Sequence, residues 1–216
     1  MRKKNWIESH RYTPERLDTA QRALEDIRAG KDVMKAIHDH PIPSGGHIGK
    51  HTLVAAYRRL VEGGQWQPDL ELLARIRMKP VRSLSGVTTV TVLTKPHPCP
   101  GNCIFCPDDA RMPKSYLPDE PAAARAYENK FDPYVQVQAR LNSLVSVGHP
   151  IEKIELLVLG GSWDAYGRDY QQWYIQRCFD ALNGNDSQTL AAAQKINETA
   201  GSRCVGLSVE TRPDEI

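Results

Sequence analysis

The sequence lacks any apolar run approaching the roughly 18 residues that a helix needs to cross a bilayer. Its basic start, Met1 to Trp6, is not followed by an apolar segment, so the pattern of a secretory signal is missing. It also lacks internal repeats and low-complexity tracts. The 216 residues are 40% hydrophobic and 25% charged, a composition typical of one or two folded globular domains. We therefore expect a cytoplasmic protein with no membrane partner.

The net charge of +2 conceals an uneven distribution along the chain. Residues 1–82 contain 16 Lys or Arg and 10 Asp or Glu, a net charge of +6, whereas residues 83–216 contain 12 and 16, a net charge of −4. Charge runs are usually solvated surface. The confinement of the excess to the first part of the chain nevertheless indicates that this part binds a polyanion.

Residues 13–82 have the pattern of a small helical module. Thr13, Pro14 and Glu15 make a helix start, with an N-cap hydroxyl, a proline at the first helical position and an acid in the first turn. Apolar residues then recur at helical spacing in four short segments that end at glycine or proline. We predict a basic helical domain over residues 1–82 that binds nucleic acid. Its candidate contact residues are Lys50, Arg58, Arg59, Arg75, Arg77, Lys79 and Arg82.

The remainder, residues 83–216, has the pattern of a parallel α/β domain. The predicted strands are 87–93, 154–159 and 204–209, and the main predicted helices are 133–148, 168–182 and 187–200. The strands are apolar on both faces, as in buried parallel sheets. One helical turn is expected near 121–127 within an otherwise irregular connection. Ligand sites of such sheets lie at the carboxyl ends of the strands, where three polar motifs of this sequence fall.

The first of these motifs is a cluster of cysteines, with the spacing Cys99-x3-Cys103-x2-Cys106. Three thiolates on one short loop can bind three irons of a [4Fe-4S] cluster and leave the fourth iron open for S-adenosylmethionine. Phe105 stands where an aromatic ring could lie along the adenine. The alternative is a zinc site in which His97 completes a Cys3His set. The isolated cluster, without a second ligand pair, favours iron–sulfur chemistry. The other two cysteines, Cys178 and Cys204, are expected to be buried packing thiols.

The second and third motifs follow the other two strands. Gly160, Gly161 and Ser162 can form a tight turn, or can let the backbone approach the methionine part of S-adenosylmethionine. Glu210 and Arg212 can be a solvated ion pair, or can hold the ribose hydroxyls and the methionine carboxylate. Their position at strand ends favours cofactor binding in both cases.

These motifs, together with the segments around them, resemble a known family. The sequence resembles the radical S-adenosylmethionine domain of the catalytic subunit of Elongator, densely over about residues 75–216 and more loosely over the N-terminal helices. The residues that carry it lie in the segments 79–87, 94–107, 115–116, 120–121, 125–126, 131–134, 148–155, 160–162 and 210–214. One departure is Ser162-Trp163, where members of the family carry Thr-Phe.

The resemblance implies a function. The family forms 5-carboxymethyluridine at the wobble uridine of tRNA, with a 5′-deoxyadenosyl radical acting on acetyl-CoA. It implies that Cys99, Cys103 and Cys106 are the ligands of the cluster. It also implies that tRNA and acetyl-CoA are partners and that the fold is a partial (βα)6 barrel. Because only three strands and no acetyltransferase-like domain are present, we expect the chain to be the N-terminal part of a longer protein, with acetyl-CoA binding belonging to the parent.

Two other functions remain open from the sequence. One is a zinc-knuckle RNA-binding module without catalysis, and bound zinc in place of iron and sulfide would identify it. The other is a radical S-adenosylmethionine enzyme with a different substrate, such as a tRNA methylthiotransferase. The latter would need a second cluster-binding domain, and the first 98 residues contain no cysteine.

Overall fold

The structure is a computed structural model that describes residues 12–101, 103–107 and 109–213. The basic start, Met1 to Trp6, lies outside the described residues. The chain divides into two compact units. The first comprises the residues up to Val81 together with Leu144–His149, and the second comprises Arg82–Ser143 and Pro150–Ile216.

The first unit is helical, as its pattern predicts. Its helices are α1 (Pro14–Arg28), α2 (Val33–Asp39), α3 (Lys50–Glu62) and α4 (Leu70–Ile76). Side-chain caps fix three of the starts: the Thr13 hydroxyl, the Asp32 carboxylate and the Asp69 carboxylate each accept from N–H groups of the first turn. The apolar faces meet in one core that contains the fully buried Leu24, Leu53 and Ile76.

The second unit is built on a parallel sheet. Its elements are β1 (Thr88–Leu93), α5 (Pro121–Glu128), α6 (Pro133–Ser146, of which the residues from Leu144 belong to the first unit), β2 (Lys153–Leu159), α7 (Arg168–Asn183), α8 (Leu190–Asn197) and β3 (Arg203–Val209). Two 3₁₀ helices lie at Pro80–Ser83, which spans the boundary of the units in the sequence, and at Trp163–Ala165. The strand order is β1-β2-β3. Leu93 pairs with Leu159, and Val158 pairs with Val209, so the carboxyl ends of the strands lie together. The prediction of a parallel α/β sheet with three strands is confirmed.

Two details differ from the sequence-based expectation. The helical turn expected near residue 121 is a helix of 8 residues, α5. The expectation of burial on both faces is wrong for β3, where Val205, Leu207 and Val209 are 44%, 44% and 39% exposed. The reason is that β3 is an edge strand and no element among the described residues covers that face. The larger barrel implied by the resemblance stays a prediction.

No helix in the described part of the chain is long and apolar enough to cross a membrane.

One buried side chain secures the end of β1 beside the site. Gln136 of α6 is 5% exposed, and its amide accepts from the Leu93 N–H at 2.9 Å and donates to the Leu93 carbonyl at 2.9 Å. It thus supplies the hydrogen bonds that a further strand would otherwise provide at this edge. Buried backbone groups need such partners because their desolvation is not otherwise compensated.

We therefore predict that Gln136→Leu lowers the free energy of unfolding by about 2 kcal/mol or more, since it leaves buried N–H and C=O groups unpaired. Denaturant unfolding would measure this. Gln194→Leu, on the exposed surface of α8, is the matched control and should have little effect. Equal effects of the two substitutions would contradict the role given to Gln136.

Candidate active site

A cavity of about 500 Å³ lies where the three strands end. Its wall comes from the loop after β1, the connection that follows, and the residues after β2 and β3. The lining residues are Cys99, Gly101, Cys103, Ile104, Cys106, Lys114, Ser115, Gly161, Ser162, Glu210, Thr211 and Arg212. All three cysteines of the predicted cluster therefore share one cavity with four of the six residues predicted to bind the cofactor.

The Glu210 carboxylate is the central acceptor of this site. Its Oε2 accepts from the N–H groups of Gly160 and Gly161, at 3.0 and 3.2 Å, and from the Tyr116 hydroxyl at 2.7 Å. Its backbone carbonyl accepts from the Trp163 N–H at 2.9 Å. The same residue therefore joins the ends of β2 and β3 to the long connection after β1.

Tyr116 belongs to the site but lies outside the three motifs that the sequence offered. Burial and the hydrogen bond to Glu210 both raise the pKa of its hydroxyl, burial being the larger cause. The hydroxyl therefore remains a proton donor at physiological pH. Tyr116 lies 94 residues before Glu210 in an irregular segment, so only its place in the family resemblance could have pointed to it.

The two glycines allow this arrangement because both have backbone angles in the left-handed region, with φ of +141° at Gly160 and +91° at Gly161. A Cβ at Gly160 would overlap the buried Thr94 hydroxyl. In this structure the glycines donate their N–H groups to Glu210. An approach of their backbone to the cofactor stays a prediction.

Hydrogen-bond donors reach two of the three cysteine sulfurs. The Ser115 hydroxyl lies 3.1 Å from Cys106 Sγ, and Arg212 Nη1 donates to Cys103 Sγ at 3.3 Å. Ser115 holds φ of +79°, a conformation uncommon outside glycine and often kept at functional positions. A Cβ at Gly101 would overlap the Arg212 guanidinium, so a larger residue there would displace the end of this side chain from the loop.

Aromatic residues just before α7 and in its first turn support the segment that leads into the cysteine loop. Tyr166 donates to the Lys95 carbonyl at 2.7 Å, and the Tyr170 hydroxyl accepts from the Lys95 N–H at 3.2 Å. The rings of Tyr166 and Tyr170 stack with centroids 4.9 Å apart, and His97 stacks on Tyr166 at 4.5 Å. His97 Nε2 also contacts the Ala165 carbonyl at 3.0 Å, so this ring nitrogen already has a hydrogen-bond partner within the protein.

Two of the residues predicted to bind the cofactor, Ser162 and Phe105, differ from the others in hydrogen bonding or in position. Ser162 lines the cavity, is 4% exposed, and its hydroxyl has no hydrogen-bond partner among the described residues. Phe105 is 91% exposed and is not part of the cavity lining. The neighbouring Ile104, which is 90% exposed, contributes to the lining instead.

The three cysteines do not converge on a point. Within the described residues, no three side chains of His, Cys, Asp or Glu come close enough together to hold one metal ion.

Some of the basic residues predicted to bind nucleic acid instead form hydrogen bonds within the protein. Arg75 donates to the carbonyls of Ile27 and Lys31 at 2.8 and 2.7 Å, and Arg77 donates to the Gly148 carbonyl at 2.8 Å. Lys50 contacts the Arg75 carbonyl at 3.4 Å. The remaining four are more open: Arg58 is half-buried, while Arg59, Lys79 and Arg82 are exposed. Arg82 belongs to the second unit.

Comparison with known proteins gives relatives that are, by name, enzymes of tRNA modification or the corresponding Elongator subunit. No protein-family model matches the chain. The chain is 51% identical over 149 residues to tRNA uridine(34) acetyltransferase of Methanocaldococcus jannaschii, a match that covers 66% of this chain and 28% of the relative. It is 36% identical over 154 residues to Elongator complex protein 3 of Drosophila melanogaster, with the same two coverages.

These relatives confirm the resemblance to the catalytic subunit of Elongator. The chain spans about 28% of the length of these curated relatives. A solved structure of Methanocaldococcus infernus Elp3 with an N-terminal deletion (1–46) is 41% identical, with a TM-score of 0.46, and the match covers 60% of this chain and 24% of that one.

We predict that Tyr116→Phe lowers the free energy of unfolding by about 1.5 kcal/mol, the lower end of the range for hydrogen bonds to charged groups, because two N–H donors remain on Glu210. Denaturant unfolding would test this. Tyr127→Phe, at a tyrosine that is 51% exposed on α5, is the control and should be near neutral. An unchanged free energy in Tyr116→Phe would show that the contact with Glu210 contributes little.

Proposed function

We propose that the chain is the cluster-binding part of a radical S-adenosylmethionine enzyme that modifies the wobble uridine of tRNA. One observation carries this proposal. Cys99, Cys103 and Cys106 line the same cavity as Glu210 and Arg212, at the carboxyl ends of a parallel sheet. The relatives named for tRNA uridine(34) modification support the choice of substrate.

The residues present fit a [4Fe-4S] cluster. All three thiols line the cavity, and donors from Ser115 and Arg212 reach two of the sulfurs. Hydrogen bonds and a positive charge stabilise thiolates and the negative charge of a cluster. When bound, the cluster would supply the electron for reductive cleavage of S-adenosylmethionine. The engagement of His97 with Tyr166 and Ala165 weighs against the Cys3His zinc alternative.

The rest of the cavity fits S-adenosylmethionine. Its volume of about 500 Å³ lies within the usual range for small-molecule sites. Glu210 has its three donors on Oε2, and Oε1 has no partner among the described residues. We propose that Oε1 accepts from the amino group or a ribose hydroxyl. The Arg212 guanidinium, which also lines the cavity, would pair with the methionine carboxylate.

The product that we propose is 5-carboxymethyluridine, with acetyl-CoA as the donor of the carboxymethyl carbons. Both follow from the resemblance to the Elongator catalytic subunit. Acetyl-CoA binding is proposed for the whole protein, because this chain covers about 28% of its relatives. The role proposed for this chain is to hold the cluster and S-adenosylmethionine and to contact tRNA.

The cluster can be tested directly. We predict that the anaerobically reconstituted chain binds about four irons and four sulfides, and that its reduced EPR signal changes when S-adenosylmethionine is added. Replacing Cys99, Cys103 and Cys106 with Ala should abolish the signal. Cys204→Ala, at a half-buried cysteine of β3, is the control and should keep it. Stoichiometric zinc without sulfide would overturn the proposal in favour of the zinc-knuckle module.

The unpartnered hydroxyl of Ser162 gives a second test. Because a buried hydroxyl without a partner costs free energy, Ser162→Ala should leave the free protein at least as stable as the wild type. The same variant should bind S-adenosylmethionine about 5- to 10-fold more weakly, since a typical hydrogen bond contributes about 1 kcal/mol. Thermal unfolding and calorimetric titration of the reconstituted chain would measure the two effects. A loss of stability without a change in affinity would assign Ser162 to packing instead.

A further inference from the structure

The turn that contains Ser115 has a serine where its backbone favours glycine. Residues 113–116 form a tight turn, closed by a hydrogen bond from the Tyr116 N–H to the Pro113 carbonyl at 3.2 Å. Ser115 occupies the third position of this turn with φ of +79°. Turns with a positive φ at this position usually have glycine or asparagine there, because a Cβ is disfavoured in that conformation. Serine therefore introduces strain that glycine would avoid.

The neighbours of Ser115 hold it in this conformation. On one side, the Tyr116 hydroxyl donates to Glu210 Oε2 at 2.7 Å. On the other side, the Lys114 carbonyl lies so near Gly161 that a Cβ on this glycine would be 3.3 Å from it. The turn is thus in contact with the residues that follow β2 and β3. Strained conformations persist where the surrounding structure determines them in this way.

The side chain of Ser115 makes a contact that glycine could not make. Its hydroxyl lies 3.1 Å from Cys106 Sγ, nine positions away in the sequence. Ser115 also lines the cavity together with the three cysteines. The hydrogen bond to a cysteine sulfur is therefore what the strained serine contributes to the site.

The direction of this hydrogen bond follows from the state of the sulfur. Either atom could be the donor while Cys106 is a free thiol. A cysteine that binds iron is a thiolate and has no proton to donate, so the Ser115 hydroxyl is then the donor. Hydrogen bonds to a charged acceptor are about twice as strong as those between neutral groups. The contact therefore strengthens as the negative charge on the sulfur increases.

The surroundings of Cys106 increase the effect of this contact. Cys106 and Ser115 are both half-buried, whereas Cys103, which accepts from Arg212 Nη1 at 3.3 Å, is exposed. A hydrogen bond is electrostatically stronger where water is partly excluded. At Cys106, solvent is also less able to replace a donor that is removed.

We propose that Ser115 raises the reduction potential of the bound cluster by donating a hydrogen bond to Cys106 Sγ. Reduction by a one-electron donor adds negative charge to the cluster and its sulfur ligands, and hydrogen bonds to the sulfurs are among the factors that set the potential. The Ser115 hydroxyl therefore stabilises the reduced state more than the oxidised state. This inference rests on the proposed function, because it requires the cluster.

Two substitutions separate the hydroxyl from the backbone strain. Ser115→Ala removes the donor and keeps a Cβ at positive φ, whereas Ser115→Gly removes the donor and relieves the strain. We expect each to make reduction less favourable by roughly 3- to 10-fold, which is about 30–60 mV at 59 mV per tenfold change for one electron. Redox titration of the reconstituted chain, followed by EPR, measures this shift. Ser208→Ala, at an exposed serine of β3, is the matched control and should leave the potential unchanged.

Thermal unfolding of the same variants distinguishes this role from a structural one. Ser115→Gly should unfold at a higher temperature than Ser115→Ala, because alanine keeps the strain that glycine relieves. If Ser115 acts on the cluster through Cys106, the two potentials shift equally although the stabilities differ. A potential that shifts in Ser115→Ala alone, or in neither variant, would overturn the proposal and leave Ser115 as a turn residue.

The outcomes also distinguish this proposal from the proposed function. A wild-type chain that binds zinc, or no metal, after reconstitution would overturn both. A wild-type chain that binds the cluster, with a potential that Ser115→Ala and Ser115→Gly do not change, would overturn the role of Ser115 and leave the radical S-adenosylmethionine function intact.

Discussion

The site depends on one carboxylate oxygen that accepts three hydrogen bonds. Glu210 Oε2 receives donors from Tyr116, Gly160 and Gly161, which lie at least 49 residues away along the chain. A charged acceptor with several donors is among the stronger polar contacts in proteins. Because these donors come from the connection after β1 and from the end of β2, the position of Glu210 after β3 couples all three walls of the cavity.

The rest of the site is arranged around this contact. Three donors on Oε2 orient the carboxylate, and Oε1 is left without a partner among the described residues. Arg212 lies two residues after Glu210. Its guanidinium passes close to Gly101 of the cysteine loop and donates a hydrogen bond to Cys103 Sγ. Ser115, the residue that precedes Tyr116, places its hydroxyl beside Cys106 Sγ. The side chains that reach the sulfurs are thus sequence neighbours of Tyr116 and Glu210, so a change in the contact of Glu210 with Tyr116 is expected to alter the contacts of the sulfurs as well.

The parts of this arrangement that were predictable from the sequence are local in the chain. The β-branched run before the cysteines, the Gly-Gly pair after an apolar run and the N-cap at Thr13 each have a signature within a few residues. Tyr116 and Gln136 have none, because each acts through a hydrogen bond to a residue 43 or more positions away.

Among the described residues, two buried side-chain atoms, Ser162 Oγ and Ser187 Oγ, have no hydrogen-bond partner. Asp180, which is fully buried, binds Arg177 and the Ser187 N–H, and the buried Asn197 bonds to Asn183, Ser202 and Cys204. Against this background, an unpaired buried hydroxyl reduces the stability of the free protein. Ser162 lines the cavity together with Glu210, whereas Ser187 does not. Ser162 is therefore the hydroxyl that a ligand of the cavity would complete.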